Sequence, residues 1–99
     1  MDIQKKIEDA SLTFTVSGRL DAVTSPLLDS EVKAVPGNIG DLTFDFSSLE
    51  YISSAGLRVV LVAQKMMSSR GGKMKICGAN SIVRNIFDIT GFTPFLTFV

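Results

Sequence analysis

Apolar and polar residues alternate along four short segments of the chain. This two-residue period predicts strands at residues 3–7, 12–17, 42–46 and 73–77, because successive side chains of a strand point to opposite faces. Lys5 interrupts the apolar face of the first segment, which favours a position at the edge of the sheet. Gly18 is expected to end the second strand.

Apolar residues recur at helical spacing in three other segments, which predict helices over residues 25–35, 54–69 and 81–90. The first begins at Ser25-Pro26, where a capping hydroxyl is followed by proline. The valines of the second favour strands, but its length is unusual for a strand and normal for a helix. The tail after the third helix, interrupted by Pro94, is predicted to be a short edge strand or a packing segment.

The predicted element order is β-β-α-β-α-β-α with a possible final strand. Successive strand-helix-strand units place neighbouring strands parallel. Strands covered on both faces usually form continuous apolar runs, whereas these carry threonine, lysine and aspartate on their second face. We therefore expect one domain over residues 1–99. Its fold class is α/β, of an α+β-like kind, with a mixed sheet and helices mainly on one face.

Composition narrows the possible functions. Ten basic and ten acidic residues leave no net charge to attract nucleic acid or an anionic membrane. The chain has no histidine, the usual general base, and its one cysteine, Cys77, allows neither an internal disulfide nor a Cys-x-x-Cys site. It shows no signal-peptide core and no apolar run of membrane-spanning length. We expect a cytoplasmic protein that needs no metal or cofactor.

Ser53 and Ser54 lie at the predicted turn from the third strand into the second helix. A helix start offers unpaired N–H groups and the positive end of the helix dipole, which suits a capping hydroxyl and equally one that carries a phosphate. Local chemistry alone favours plain capping, since serines before helices are usually caps. A phosphate would add about 1.5 to 2 negative charges, which a helix start tolerates, and would change the outward surface without disrupting the fold.

Three other chemistries are poorly supported. A serine hydrolase is disfavoured because the chain lacks histidine and the first glycine of a nucleophile elbow. Asp45, at a strand end, could accept a phosphoryl group, but such a site also needs a carboxylate cluster for Mg²⁺. Gly18 and Gly71-Gly72 form no phosphate-binding pattern. We expect no catalytic residue.

Four stretches of the chain form a recognisable pattern, at residues 18–21, 45–61, 71–74 and 86–91. Its most specific part is Tyr-Ile-Ser-Ser-Ala-Gly-Leu at residues 51–57. Together these stretches resemble the STAS domain, the module named for sulfate transporters and anti-sigma factor antagonists. The similarity is greatest to the stand-alone bacterial antagonists. It covers nearly the whole chain in the family's element order and implies a STAS-type sheet.

The resemblance implies a partner-switching regulator of transcription. In that family the unphosphorylated antagonist binds an anti-sigma factor that is also a serine kinase, and thereby releases a sigma factor. The kinase phosphorylates the antagonist and ends the complex, and a metal-dependent serine/threonine phosphatase resets it. The family's acceptor is the hydroxyl residue two positions before the glycine that opens the helix, which is Ser54 here.

The resemblance also implies a set of partner-binding positions, which are Asp21, Ser53, Ala55, Gly56 and Arg58. The family commonly has aspartate where this chain has Ser53, and often a second hydroxyl residue where it has Ala55. Arg58, one turn after Ser54, could pair with the phosphate or with an acidic patch on the kinase, or could be a solvated surface residue. Asp21 could contact the partner or only cap its own loop.

Two interpretations from other classes stay open. One is a scaffold subunit of the STAS type, never phosphorylated, in a membrane transport or signalling complex. The other is an enzyme, such as a weak nucleotide hydrolase. We favour the regulator, and expect neither a nucleic-acid partner nor direct insertion into a membrane.

Overall fold

Five strands and three helices follow one another in the computed structural model, which describes residues 1–99. The strands are β1 (Asp2–Glu8), β2 (Ser11–Leu20), β3 (Asp41–Asp45), β4 (Leu49–Ile52) and β5 (Lys73–Cys77). The helices are α1 (Ser25–Lys33), α2 (Ser54–Ser69) and α3 (Ser81–Ile89), followed by a short 3₁₀ helix, Thr93–Phe95. All seven predicted helices and strands are present, and the structure adds β4.

The sheet is mixed, as predicted. Its main order is β1-β2-β3-β5, with β1 antiparallel to β2 and the remaining neighbours parallel. β1 pairs only with β2, which confirms its position at a sheet edge. β4 is parallel to β2 and pairs with its last residues, whereas β3 pairs with its first five. β2 therefore supports both the strand and the turn that lead into α2.

Two predicted boundaries are wrong. β2 does not end at Gly18, whose φ of +84° accompanies a shift of register, but continues to Leu20. The segment predicted as a loop before α2 contains β4 instead, and the N–H of Gly18 donates to the carbonyl of Ser48 at 3.1 Å just before it. Of the two alternatives for the tail, the packing segment is confirmed: the tail forms the 3₁₀ helix and one isolated parallel bridge, Ile76 to Phe98, and Phe92, Leu96 and Phe98 pack against the core.

One face of the sheet forms the core. The inward residues of β2 and β3 are fully buried, among them Phe14 and Phe44, whose ring centroids lie 5.7 Å apart. Their neighbours on the other face, such as Thr13 and Thr43, are only partly buried. This alternation confirms a sheet covered by helices mainly on one side. None of the helices is both long enough and apolar enough to cross a bilayer.

Candidate functional site

The turn from β4 into α2 places Ser54 on the surface. Ser53 precedes the helix with extended backbone angles, φ −97° and ψ 177°, and its carbonyl accepts the first helical hydrogen bond, from the N–H of Leu57 at 2.9 Å. The N–H of Ser53 donates to the carbonyl of Leu20 at 2.9 Å, which anchors the helix start to the end of β2. Ser54 is the first helical residue and is exposed.

Neither serine caps the helix. Ser53 occupies the capping position, but its side chain makes no capping bond, and its Oγ is buried without a hydrogen-bond partner. The N–H groups of Ser54, Ala55 and Gly56 therefore have no acceptor within the protein. The plain capping role that local chemistry favours is thus absent, and the start of α2 keeps free donors beside an exposed hydroxyl.

Gly56 lets the first turn of α2 lie directly against the strands. A Cβ at this position would come within 2.8 Å of side-chain carbons of Leu20 and Ile52, and within 2.9 Å of the Leu20 carbonyl oxygen. Real side chains do not tolerate such distances, so only glycine fits without a shift of the backbone. The role of Gly56 in this structure is close packing that sets the position of Ser54.

Asp21 organises the loop between β2 and α1. Its Oδ1 accepts hydrogen bonds from the N–H groups of Val23 and Thr24 at 3.0 and 3.1 Å, and from the Thr24 hydroxyl at 3.1 Å. The Thr24 hydroxyl also lies 2.8 Å from the Arg19 carbonyl oxygen, so its single proton is shared between this oxygen and the Asp21 Oδ1. The hydrogen bond from the Thr24 N–H is the main cause that lowers the pKa of Asp21. The geometry supports the loop-capping interpretation of this residue.

A groove beside Ser54 separates α1 from α2. It has a volume of about 420 Å³ and is lined on the α2 side by Ala55, Arg58, Val59 and Val62. Arg58 is exposed and forms no ion pair, whereas Lys33 on the opposite wall is paired with Asp29 at 2.8 Å. Among the protein's exposed large apolar residues are Val62, which lines this groove, and Val23 and Leu27, each next in sequence to a lining residue.

The structure brings the predicted positions to one end of the molecule. Ser53 is bonded to Leu20, the residue before Asp21, and Ala55 and Arg58 share the groove wall. Sequence reasoning did not find the groove or its α1 residues, because their contacts join segments about 30 residues apart. The available signal was Leu27, which fits the apolar spacing of α1 but is 60% exposed, close in sequence to Val23, which is 84% exposed.

Asp45, at the end of β3, is engaged locally. Its carboxylate accepts hydrogen bonds from the hydroxyl of Ser47 at 2.7 Å and from its N–H at 3.0 Å, and the hydroxyl bond is the main cause that lowers the pKa of Asp45. Burial, with a smaller contribution from the Asp45 charge, raises the pKa of the Cys77 thiol. Asp45 therefore acts as a turn residue in this structure.

The fold and the position of the β4–α2 turn agree with one domain family. The sequence profile of the STAS domain matches residues 2–99, and the chain belongs to that family.

Two curated relatives are similar over most of the chain. BtrV of Bordetella bronchiseptica, described as a candidate anti-sigma factor antagonist, is 34% identical over 85 residues, which cover 85% of this chain and 73% of BtrV. The anti-sigma-B factor antagonist of Bacillus subtilis is 24% identical over 91 residues, covering 92% of this chain and 84% of the relative.

Two solved structures support the same fold. The unphosphorylated form of the anti-sigma factor antagonist SpoIIAA aligns with 99% of this chain and 88% of its own, with a TM-score of 0.84 and 17% identity. The phosphorylated form of Bacillus SpoIIAA aligns with a TM-score of 0.79, 16% identity and coverage of 99% and 91%. At these identities the likeness establishes the fold.

Proposed function

We propose that this protein is an anti-sigma factor antagonist whose binding is switched by phosphorylation of Ser54. The unphosphorylated form binds an anti-sigma factor with serine kinase activity in the bacterial cytoplasm, and this binding frees a sigma factor. The kinase then transfers phosphate to Ser54, the complex dissociates, and a metal-dependent serine/threonine phosphatase restores the hydroxyl. In this role the chain is a binding module and a phosphate acceptor, and it catalyses no step itself.

The observation that carries the proposal is that the Ser54 side chain is exposed on the protein surface. It is exposed at the first residue of α2, so a kinase can reach it without unfolding the chain. The neighbouring Ser53 has a buried Oγ and is therefore the poorer candidate for phosphorylation. Membership of the STAS family and the names of the relatives supply the partner class.

The free N–H groups at the start of α2 explain why phosphorylation leaves the fold intact. The N–H groups of Ser54, Ala55 and Gly56 have no acceptor, and the helix dipole favours negative charge at this end. A phosphate on Ser54 adds about 1.5 to 2 negative charges where donors are available. Phosphorylation therefore changes the charge of the partner-binding surface and leaves the fold unchanged.

Electrostatic repulsion explains why phosphorylation of Ser54 would end the complex with the kinase. A phosphate on Ser54 would face the phosphates of the nucleotide that the kinase holds, or acidic residues around them. Like charges placed together in an interface cost several kcal/mol. A cost of about 4 kcal/mol weakens binding roughly a thousandfold, which is sufficient for a switch.

Arg58 and the groove beside it extend the proposed interface. The arginine is exposed, unpaired and one turn from Ser54, and the neighbouring Val62 side chain is 38% exposed. Exposed apolar residues around a free cation are typical of protein-binding surfaces. Ala55 belongs to the same wall. We assign Arg58 to contact with an acidic patch on the partner.

The test begins with capture of the partner. Host lysate is passed over immobilised wild-type protein, Ser54→Ala and Ser54→Asp, and retained proteins are identified by mass spectrometry. An anti-sigma factor kinase should be retained by wild type and Ser54→Ala and lost with Ser54→Asp. The purified kinase and ATP should then phosphorylate wild type and leave Ser54→Ala unmodified.

Ser81→Ala is the matched control, because Ser81 is also an exposed serine at the first position of a helix. This variant should be phosphorylated as wild type. Equal phosphate incorporation into Ser54→Ala and wild type would refute the site. Retention of a membrane complex without any kinase, and no phosphate on Ser54 in cells, would favour the scaffold subunit instead. Arg58→Glu should weaken kinase binding at least tenfold, and unchanged affinity would remove Arg58 from the interface.

A further inference from the structure

The edge strand β1 leaves one side of its backbone unpaired. β1 pairs only with β2, and no backbone hydrogen bond outside the helices and strands involves residues 2–8. At the opposite edge of the sheet the tail covers β5, because the N–H of Ile76 donates to the carbonyl of Thr97 and its carbonyl accepts from Val99, both at 2.9 Å. No corresponding segment covers β1. An open strand edge is a template for pairing with another strand.

The hydrogen bonds of β2 show which residues of β1 face the open edge. The carbonyl of Ala10, just before β2, accepts from the N–H of Asp41 in β3, so even-numbered residues in this part of β2 direct their backbone groups to β3 and odd-numbered ones to β1. In the β1–β2 register, odd residues of β2 lie opposite even residues of β1, as Thr15 does opposite Gln4. The odd residues of β1 therefore direct their N–H and C=O groups outward; they are Ile3, Lys5 and Ile7.

The lysine in the middle of this edge does not protect it with a free charge. A lysine on an edge strand usually opposes pairing with another strand. Here the Lys5 ammonium is paired with the Glu31 carboxylate of α1 at 2.8 Å, on the helix side of the sheet. The other face of β1 carries the exposed residues Asp2, Gln4 and Lys6. The chain has no net charge, so two copies do not repel each other at long range.

Backbone geometry and charge select one arrangement of two β1 strands. A two-fold antiparallel pair must place outward-facing odd residues opposite each other, and three such registers keep most of β1 paired, centred on Gln4, Lys5 or Lys6. Centring on Lys5 sets Lys5 against Lys5 and Asp2 against Glu8. Centring on Lys6 sets Lys6 against Lys6. Centring on Gln4 instead places Asp2 opposite Lys6 on both sides of the axis, so only this register pairs opposite charges.

We propose that β1 pairs with β1 of a second copy of this chain, antiparallel and centred on Gln4, to form a symmetric dimer with one continuous sheet. Asp2 of each copy lies opposite Lys6 of the other on the exposed face, and the outward backbone groups of Ile3 bond to those of Lys5. Opposite charges on facing residues stabilise a pair of strands. These residues are not those of the Ser54 surface, and the proposal does not depend on the antagonist function.

Sedimentation velocity of the full chain tests the association. Wild type should show a monomer–dimer equilibrium with a dissociation constant of about 100 μM or tighter, as expected for a small, transient interface. Asp2→Lys and Lys6→Glu should each weaken dimerisation at least about tenfold, because each places like charges opposite one another on both sides of the axis. Lys75→Glu is the matched control, since Lys75 is an exposed lysine of β5 on the same face, and it should dimerise as wild type.

Exchange of the two charges identifies the register. The double variant Asp2→Lys/Lys6→Glu should regain the affinity of wild type, because the facing charges are opposite again. A mixture of the two single variants should form a heterodimer at least about tenfold tighter than either homodimer. In that mixture one chain has basic residues at both paired positions, and the other has acidic residues at both. Neither recovery is expected for the registers centred on Lys5 or Lys6.

Each result supports or overturns the proposal. Wild type that stays monomeric at about 1 mM would overturn it. So would a dimer unchanged in Lys6→Glu, or single variants that fail to associate when mixed. Dispersion of ¹H–¹⁵N spectra shows that each variant is folded. If a charge variant fails to fold, Lys5→Pro decides: it removes an outward N–H that β2 does not use, and dimerisation equal to wild type would overturn the proposal.

Discussion

The N–H of Ser53 donates a hydrogen bond to the carbonyl oxygen of Leu20 at 2.9 Å. This bond ties the start of α2 to the end of β2, two segments far apart in sequence. Because Asp21 follows Leu20 directly and Ser54 follows Ser53, it also sets the β2–α1 loop beside the proposed phosphoacceptor. The site therefore depends on the packing of β2, β4 and α2, and changes to that packing give testable outcomes.

Gly56→Ala should destabilise the protein by about 1–3 kcal/mol, despite the better helix propensity of alanine. The added methyl would lie 2.8 Å from carbons of Leu20 and Ile52. Gly37→Ala is the control, since nothing lies within 4 Å of a Cβ there, and it should change stability by less than about 0.5 kcal/mol. Urea unfolding midpoints test both, and similar values for the two variants would contradict the packing role of Gly56.

Ser53→Ala should be nearly neutral, within about 0.5 kcal/mol, although replacing an N-terminal capping serine usually costs about 1 kcal/mol. The Ser53 hydroxyl makes no capping bond and is buried without a partner, so its removal loses nothing. Asn80→Ala is the comparison, because the Asn80 side chain accepts from the Val83 N–H at 2.8 Å and donates to the Leu49 carbonyl at 2.9 Å. It should cost about 1–2 kcal/mol in the same urea assay. Equal losses would mean that Ser53 does cap α2.

Ser54→Asp should be more stable than Ser54→Asn by about 0.3–1 kcal/mol at low ionic strength. The two side chains are close in size, and the carboxylate adds charge next to the free N–H groups of α2. The difference should shrink in high salt, which screens an exposed charge. Urea unfolding at both salt concentrations measures it. An aspartate variant less stable than the asparagine variant would show that this helix start does not accommodate an anion.

Acid should selectively weaken the loop that Asp21 caps. Its pKa is lowered in the folded protein, so the Asp21 carboxylate contributes stability above its unfolded pKa, near 3.8, and that contribution is lost as pH falls through the folded value. Asp21→Asn should be less stable than wild type at about pH 6, and the gap should close as the pH falls through the lowered folded pKa of Asp21 and its carboxyl becomes neutral. Urea unfolding midpoints of wild type and Asp21→Asn, measured from about pH 6 downwards, test whether this stability difference shrinks. A gap that widened on acidification would contradict it.

Much of this architecture could be predicted because its signals are local. The alternation in residues 12–17 and 42–46 marks half-buried strands, and the length of residues 54–69 marks α2 as a helix. β4 was missed because four residues, Leu49–Ile52, are too few to show a period. The continuation of β2 past Gly18 was missed because a register shift depends on the partner strand.

The amino-acid sequence by itself determined the strand and helix pattern, the apolar core and the serine pair before α2. It also carries the STAS family pattern, because periodicity, turn residues and short motifs are properties of neighbouring residues. Tertiary structure alone decided which serine is exposed, where β4 pairs, and that a groove lies between α1 and α2. Those features arise from contacts such as the hydrogen bond between Ser53 and Leu20, which joins segments about 30 residues apart in sequence. Neither the hydrophobic period nor local propensity shows which distant segments of the chain come into contact.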